Sequence, residues 1–398
     1  MNDRIALRGA EIAPFYLAAI GRRAMQLAHA GRAVIPMHIG EPTAGISPSA
    51  RAAAHANVDR NSSGYWESAA LRERIARHYG DTYGVDVAPG RILLTSGASA
   101  GLVAVFASLF APGDRVGVAR PGYAPYRNAL RALGRVPVDI DCGAEASFRL
   151  APAMLDALAE PLHGLIVASP ANPTGAMLSR ERLQALADRC RADRTRLLSD
   201  EIYHGIAYGG EAVTALALDD DAIVLNSFSK LFRMPGWRLG WLVAPEHCVE
   251  RLSAYLINFF LTPASISQHA ALAAFDDMDE LRASVDQYAR NRERLLAELP
   301  RMGLTGIAPP DGAFYVYADV GHLTDDSLAF CQRLLEDTGV AVAPGIDFDP
   351  AHGNRFVRLS FAISESELEQ AIALLEPWLA RQPRGFELSP SDTSRSRA

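Results

Sequence analysis

Between residues 90 and 245 seven short apolar runs recur at intervals mostly long enough to hold a helix, and this alternation constrains the fold more than any single residue does. The runs are Ile92–Thr95, Arg115–Ala119, Val136–Ile140, Leu165–Ala168, Arg196–Ser199, Ile223–Asn226 and Leu239–Val243. A strand with one wet face alternates polar and apolar residues; most of these runs do not, so both faces must be covered. The pattern predicts an α/β fold built on a mostly parallel, seven-stranded sheet flanked by helices. Ligands of such sheets lie beyond the carboxyl ends of the strands, and the polar motifs of this chain follow those ends.

After residue 280 the pattern changes. A long helix is expected over Leu281–Leu299, strands over Phe314–Asp319 and Phe356–Phe361, and helices over Asp326–Thr338 and Ser364–Leu379, which together describe a smaller α+β domain. The expected division is an N-terminal arm over 1–44 that joins the small domain, a large domain over 45–280, the small domain over 281–382, and a Ser/Pro-rich tail over 383–398 expected to be disordered.

Composition narrows the function. With 49% hydrophobic and 21% charged residues in 398, the chain can bury a sizeable core. A net charge of -7 without a basic stripe gives no reason to expect nucleic acid or an anionic membrane as partner. The start lacks the apolar run of a signal peptide, and the stretch Tyr255–Leu261 is too short to span a bilayer, so a cytoplasmic protein is expected. Cys142, Cys190, Cys248 and Cys331 are widely scattered without a C-x-x-C pair and are expected as buried thiols. The histidines form no metal-binding motif. Catalysis then requires an organic cofactor or none.

The run Ser227-Phe228-Ser229-Lys230 followed by Arg238 supplies the chemistry. A lysine forms a Schiff base only when uncharged, and its ordinary pKa is about 10.4, so desolvation or neighbouring cations must prepare it. An imine-forming lysine beside hydroxyls and an arginine describes a site for pyridoxal 5'-phosphate, whose aldehyde bonds the amine and whose phosphate needs fixed donors and positive charge. Four further motifs follow predicted strands. Thr95-Ser96-Gly97-Ala98-Ser99 turns a strand end into a helix start, where free N–H groups face an anion. Pro121-Gly122-Tyr123 offers an aromatic ring; Ser169-Pro170-Ala171-Asn172-Pro173 offers an amide, with one or both X-Pro bonds candidates for the cis form. Asp200 closes an apolar strand, where a carboxylate is costly unless paired. Arg358, in Asn354-Arg355-Phe356-Val357-Arg358, lies on an apolar strand and needs an anion.

With these motifs in this order, the chain resembles the class I/II aminotransferases among the fold-type I pyridoxal phosphate enzymes, over about residues 30 to 380. The resemblance implies a phosphate held by Ala98, Ser99, Ser227, Ser229 and Arg238, and by Tyr65 reaching from the other subunit of a homodimer. It implies Tyr123 against the pyridine face, Asp200 at the pyridine nitrogen, and Asn172 and Tyr203 at the phenolic oxygen. Gly40, Asn172 and Arg358 are the implied substrate-binding residues, Arg358 for the α-carboxylate; Lys230, Asp200 and Tyr203 are the implied catalytic ones. The implied reaction moves an amino group from an L-amino acid to a 2-oxo acid through a Lys230 Schiff base and pyridoxamine phosphate. Ser99 stands where some dicarboxylate-handling relatives carry a lysine, which slightly favours neutral or aromatic substrates; Arg22, Arg23 or a cation from the other subunit is the remaining source of a second charge for a dicarboxylate. A C–S β-lyase of the same fold is the alternative within the class, and a non-catalytic cofactor-binding regulatory domain the alternative outside it.

Overall fold

The computed structural model describes residues 12–59 and 64–383. The arm's residues 1–11 and the expected tail from 384 onward lie outside the described residues. Strand β1 (Ile35–Pro36) precedes β2 (Ile92–Thr95), β3 (Arg115–Arg120), β4 (Val136–Asp141), β5 (Gly164–Ala168), β6 (Arg196–Asp200), β7 (Ile223–Ser227) and β8 (Gly240–Val243). Four more complete the set: β9 (Tyr315–Asp319), β10 (Val340–Ala341), β11 (Ala343–Pro344) and β12 (Phe356–Ser360).

Strands β2 to β8 form one sheet in the order β2-β8-β7-β6-β5-β3-β4, parallel except at β8, which runs against both β2 and β7. Its unbroken apolar runs are explained by two cores, one on each face. Leu165, Val167, Leu197, Val224 and Trp241 point into one, whereas Ile166, Leu198, Leu225 and Leu242 point into the other. The second core is closed by Leu102, Val105 and Phe106 of the helix Ala98–Leu109 and by Leu252 of the helix Glu246–Phe260. All four cysteines are buried and unpaired.

The expected helix at 281–299 runs over Met278–Glu298, and the later helices over Ser327–Thr338 and Glu365–Ala380. A capping box between Ser364 and Glu367 starts the last of these, each side chain satisfying the other residue's free N–H. Strands β11, β12 and β9 form a separate antiparallel sheet in which Arg358 pairs with Tyr317 and Ser360 with Tyr315. The N-terminal segment attaches there: β1 pairs with β10, and the N–H groups of Tyr16 and Leu17 donate to the Asp347 carboxylate at 2.8 and 2.7 Å.

Residues 228–239 leave β7 and return as β8, and the segment folds back on itself through Phe228 N–H to Leu239 O at 3.1 Å and Met234 N–H to Phe228 O at 3.0 Å. This one connection carries both Lys230 and Arg238.

Candidate active site

The carboxyl ends of β2, β3, β5, β6 and β7 and the strand β12 converge on one cavity of about 280 Å³. It is lined by Gly40, Ala98, Ser99, Tyr123, Asn172, Asp200, Tyr203, Ser227, Ser229, Lys230, Arg238 and Arg358. Every expected site residue is therefore gathered there except Tyr65, which is 84% exposed and does not line the cavity of its own chain.

At one end the cavity is a cradle of donors. Gly97 precedes the helix Ala98–Leu109 with φ +80°, and a Cβ there would stand 2.5 Å from the Arg238 guanidinium, so both conformation and space require glycine. The first-turn N–H groups of that helix lack intrahelical acceptors and carry the positive end of its dipole. Ser227 Oγ and Ser229 Oγ lie 2.8 Å apart, and Arg238 is anchored by Nη1 donating to Pro235 O at 2.7 Å.

Asp200 occupies the floor at the end of β6. Burial pushes its carboxyl up to about 6; the Tyr126 hydroxyl, which donates to Oδ2, and Ile202 N–H, which donates to Oδ1 at 3.2 Å, work against that rise. Lys230 Nζ donates to the carbonyl of Gly40. Burial lowers its pKa to about 8, assisted by the charge of Arg358 and opposed by Glu41 and Asp200, so a useful fraction of the amine is free near neutral pH.

Arg358 faces Asn172 from β12. Its Nη1 donates to Asn172 Oδ1 at 2.9 Å and its Nη2 to His38 O at 2.7 Å, and the guanidinium lies 4.2 Å from the centre of the Tyr315 ring and 4.8 Å from that of Phe348. The residue is 2% exposed, its Nε has no acceptor, and no carboxylate among the described residues pairs with it. A buried cation served only by neutral acceptors leaves its charge uncompensated, which an anion could offset. The bonds Ser169–Pro170 and Asn172–Pro173 are both cis, as is Arg120–Pro121.

Sequence reasoning missed two tyrosines. Tyr126 follows Tyr123 by one helical turn, and that spacing was the only signal that the two rings act together; they meet edge to face at 5.3 Å. Tyr315 gave no signal beyond an apolar strand, yet its hydroxyl lies 2.7 Å from that of Tyr203. The cavity also takes an apolar wall from Phe15, Leu17 and Ile39 of the N-terminal segment. Glu201 and His204 stay behind the cavity: Glu201 Oε1 accepts from Ser199 Oγ at 2.9 Å and Ala215 N–H at 2.8 Å, and His204 Nε2 meets Ser169 O at 3.0 Å.

Comparison with known proteins agrees with this geometry. The family model for aminotransferase class I and II matches residues 32–375. The valine–pyruvate aminotransferase of Mycobacterium tuberculosis is 44% identical over 389 residues, covering 96% of this chain and 100% of that protein. The (5-formylfuran-3-yl)methyl phosphate transaminase of Methanocaldococcus jannaschii is 30% identical, covering 89% of this chain and 94% of that protein. The crystal structure of an aminotransferase from Mycobacterium tuberculosis superposes with a TM-score of 0.92 at 44% identity, covering 96% of this chain and 100% of that one. The sheet order, the cavity at its carboxyl edge and these likenesses lead to one conclusion: the chain has the fold-type I architecture, belongs to the class I and II aminotransferase family and is an aminotransferase.

Proposed function

We propose that this aminotransferase is a cytoplasmic homodimer that uses pyridoxal 5'-phosphate to move the amino group of a neutral L-amino acid to a 2-oxo acid. The observation that carries this is Arg358, a buried guanidinium without a carboxylate partner, whose planar fork matches an α-carboxylate. The residues also fit the cofactor. The cradle left open by Gly97 collects N–H groups, two hydroxyls and Arg238, a donor set for a phosphate; Asp200 suits the pyridine nitrogen, Tyr203 and Asn172 the phenolic oxygen, and Tyr123 the ring face.

When bound, the cofactor supplies an electron sink for charge that develops at the substrate Cα. Arg358, Asn172 and the backbone of Gly40 would hold the carboxylate and so orient the Cα–H bond. Lys230, with its lowered pKa, would take and return the proton at Cα. Asp200 in its ionised form would hold a proton on the pyridine nitrogen.

Neutral substrates are favoured by what lines the cavity. Its cations are Lys230, Arg238 and Arg358, each already engaged in this scheme, and the free wall is apolar Phe15, Leu17 and Ile39. Arg23 is held by Glu336 outside the cavity. The valine–pyruvate activity named for the relative at 44% identity supports a branched aliphatic donor and pyruvate as acceptor. Dimer formation is supported by Tyr65 and by the exposed apolar side chains of Ile257, Phe259 and Leu261.

The test is the visible absorbance of the cofactor-loaded protein with a panel of L-amino acids and no acceptor. Valine should bleach the band and give one 2-oxo acid per site, with restoration on adding pyruvate, whereas aspartate should act at least about tenfold more slowly. Continuous release of ammonia and pyruvate from a suitable amino acid without an acceptor would instead indicate a lyase and reject the proposal. Lys230→Ala should abolish turnover, and Arg358→Ala should chiefly raise KM for the amino acid.

A further inference from the structure

Tyr315 touches three parts of the site and has no role in the proposed transamination so far. It begins β9, opposite Ser360 of β12, and is wholly buried. Its hydroxyl lies 2.7 Å from that of Tyr203, and its ring forms the platform 4.2 Å beneath the Arg358 guanidinium. A Cβ built on Gly40 would stand 2.5 Å from the Tyr315 hydroxyl and 3.7 Å from Arg358 Nη2. One side chain therefore reaches the carboxylate-binding arginine, the backbone beside it and the phenol directed at the cofactor.

The direction of the hydrogen bond between the two phenols decides what Tyr203 can do. Each hydroxyl has a single proton. If Tyr203 donated to Tyr315, it would have no proton left to direct elsewhere; if Tyr315 donates, the Tyr203 proton is free to point into the cavity. The cation stacked on the Tyr315 ring makes that phenol the more acidic partner, hence the better donor. Burial raises both phenols; the Arg358 charge works against that rise in both and ranks higher among the effects on Tyr315 than among those on Tyr203.

We propose that Tyr315 is a positioning residue whose hydroxyl donates to Tyr203 and turns the Tyr203 proton toward the cofactor's phenolic oxygen, while its ring holds Arg358 flat for the substrate carboxylate. This rests on the proposed cofactor assignment and adds a link between the carboxylate subsite and Tyr203. Because Arg358 acts on Tyr315 through the ring face, neutralising Arg358 by a substrate carboxylate weakens Tyr315 as a donor. The proton on Tyr203 thus senses that the carboxylate has arrived.

The experiment compares Tyr315→Phe, Tyr203→Phe and the double variant, all loaded with pyridoxal 5'-phosphate. Two quantities are read: the pH midpoint of the visible absorbance change without substrate, and kcat and KM for a neutral amino acid. Tyr315→Phe keeps the platform and removes the hydroxyl. It should move the pH midpoint in the same direction as Tyr203→Phe and by less, lower kcat about tenfold and leave KM within about twofold. The double variant should match Tyr203→Phe alone, because the Tyr315 hydroxyl acts through Tyr203. Tyr315→Leu, which removes the platform, should also raise KM. An unmoved midpoint in Tyr315→Phe, or an effect that adds fully to that of Tyr203→Phe, overturns the role of Tyr315 and leaves the cofactor assignment standing. Wild-type protein with no visible band after loading overturns both.

Discussion

Replacing Tyr126 by phenylalanine removes one hydroxyl from the cavity floor and leaves the ring's packing in place. That hydroxyl donates to Asp200 Oδ2, and it is the largest of the effects that oppose the burial lifting Asp200 to about 6. A hydrogen bond to a charged acceptor contributes about 1.5–3 kcal/mol, and about 1.4 kcal/mol is a factor of ten in a protonation equilibrium. Asp200 in the variant should therefore take up a proton about ten to a hundred times more readily. The sign is fixed: loss of a donor to the ionised form moves the carboxyl upward, so in the variant a substantial fraction of Asp200 is neutral near pH 7. On the proposed assignment of Asp200 to the pyridine nitrogen, a neutral carboxyl would no longer favour a proton there. The assay is the dissociation constant of pyridoxal 5'-phosphate between pH 5 and 9, followed by tryptophan fluorescence. Wild-type affinity should weaken as pH falls through about 6. The variant should begin to weaken about one pH unit or more higher and converge with wild type at alkaline pH. Ionisation of the cofactor itself is common to both proteins and cancels in the comparison. Identical pH profiles would refute the claim that Tyr126 keeps Asp200 ionised.

Two further outcomes test the surroundings of the cavity. Glu201 is fully buried and its carboxyl is pushed up to about 7 from 4.5 by that burial, with Oε2 lacking a hydrogen bond and His204 Nδ1 3.5 Å from it. Because the folded-state value is raised, its contribution to stability is present at acid pH and lost as pH rises through about 7. Glu201→Gln keeps an oxygen for Ser199 and Ala215 and should remove that contribution, so the difference in unfolding free energy between wild type and variant, read in urea, should change by on the order of 3 kcal/mol between pH 5 and 8. Equal pH dependence in both proteins would show that Glu201 titrates normally. Gly40→Ala would push its methyl group against the Tyr315 hydroxyl and toward Arg358, so KM for the amino acid should rise about tenfold or more with the melting temperature little changed; an unaltered KM would place the carboxylate elsewhere.

The sheet was legible because burial on both faces leaves an unbroken apolar run, and strands such as Ile92–Thr95 match their expected limits. The motifs after the strands were legible because each joins a polar residue to a strand end, where the fold has little other use for it. Tyr126 and Tyr315 were not, for a physical reason. A buried phenol looks the same in sequence whether it only packs or also donates, and the partner that decides lies 74 residues away for Tyr126 and 112 for Tyr315. The apolar wall from Phe15 and Leu17 depends likewise on a tertiary tie, the bonds of Tyr16 and Leu17 N–H to Asp347 across more than three hundred residues. Tyr65 posed the opposite problem: its expected partner belongs to another copy of the chain, and in one copy it is simply exposed.

The connection between β7 and β8 has a consequence for how this protein can change. It bears both Lys230, proposed as the reacting amine, and Arg238, proposed to hold the phosphate, and antiparallel neighbours pin both of its ends. The span between the Lys230 amine and the Arg238 guanidinium is therefore set by the number of residues in one loop. A single insertion or deletion within 228–239 would shift one group against the other, whatever side chains remained. Divergence toward new substrates is consequently free to alter the N-terminal segment, which reaches the cavity from outside, but is length-locked here. Grafted loops or tags belong at the amino ends of the strands, where a change of length leaves this ruler intact.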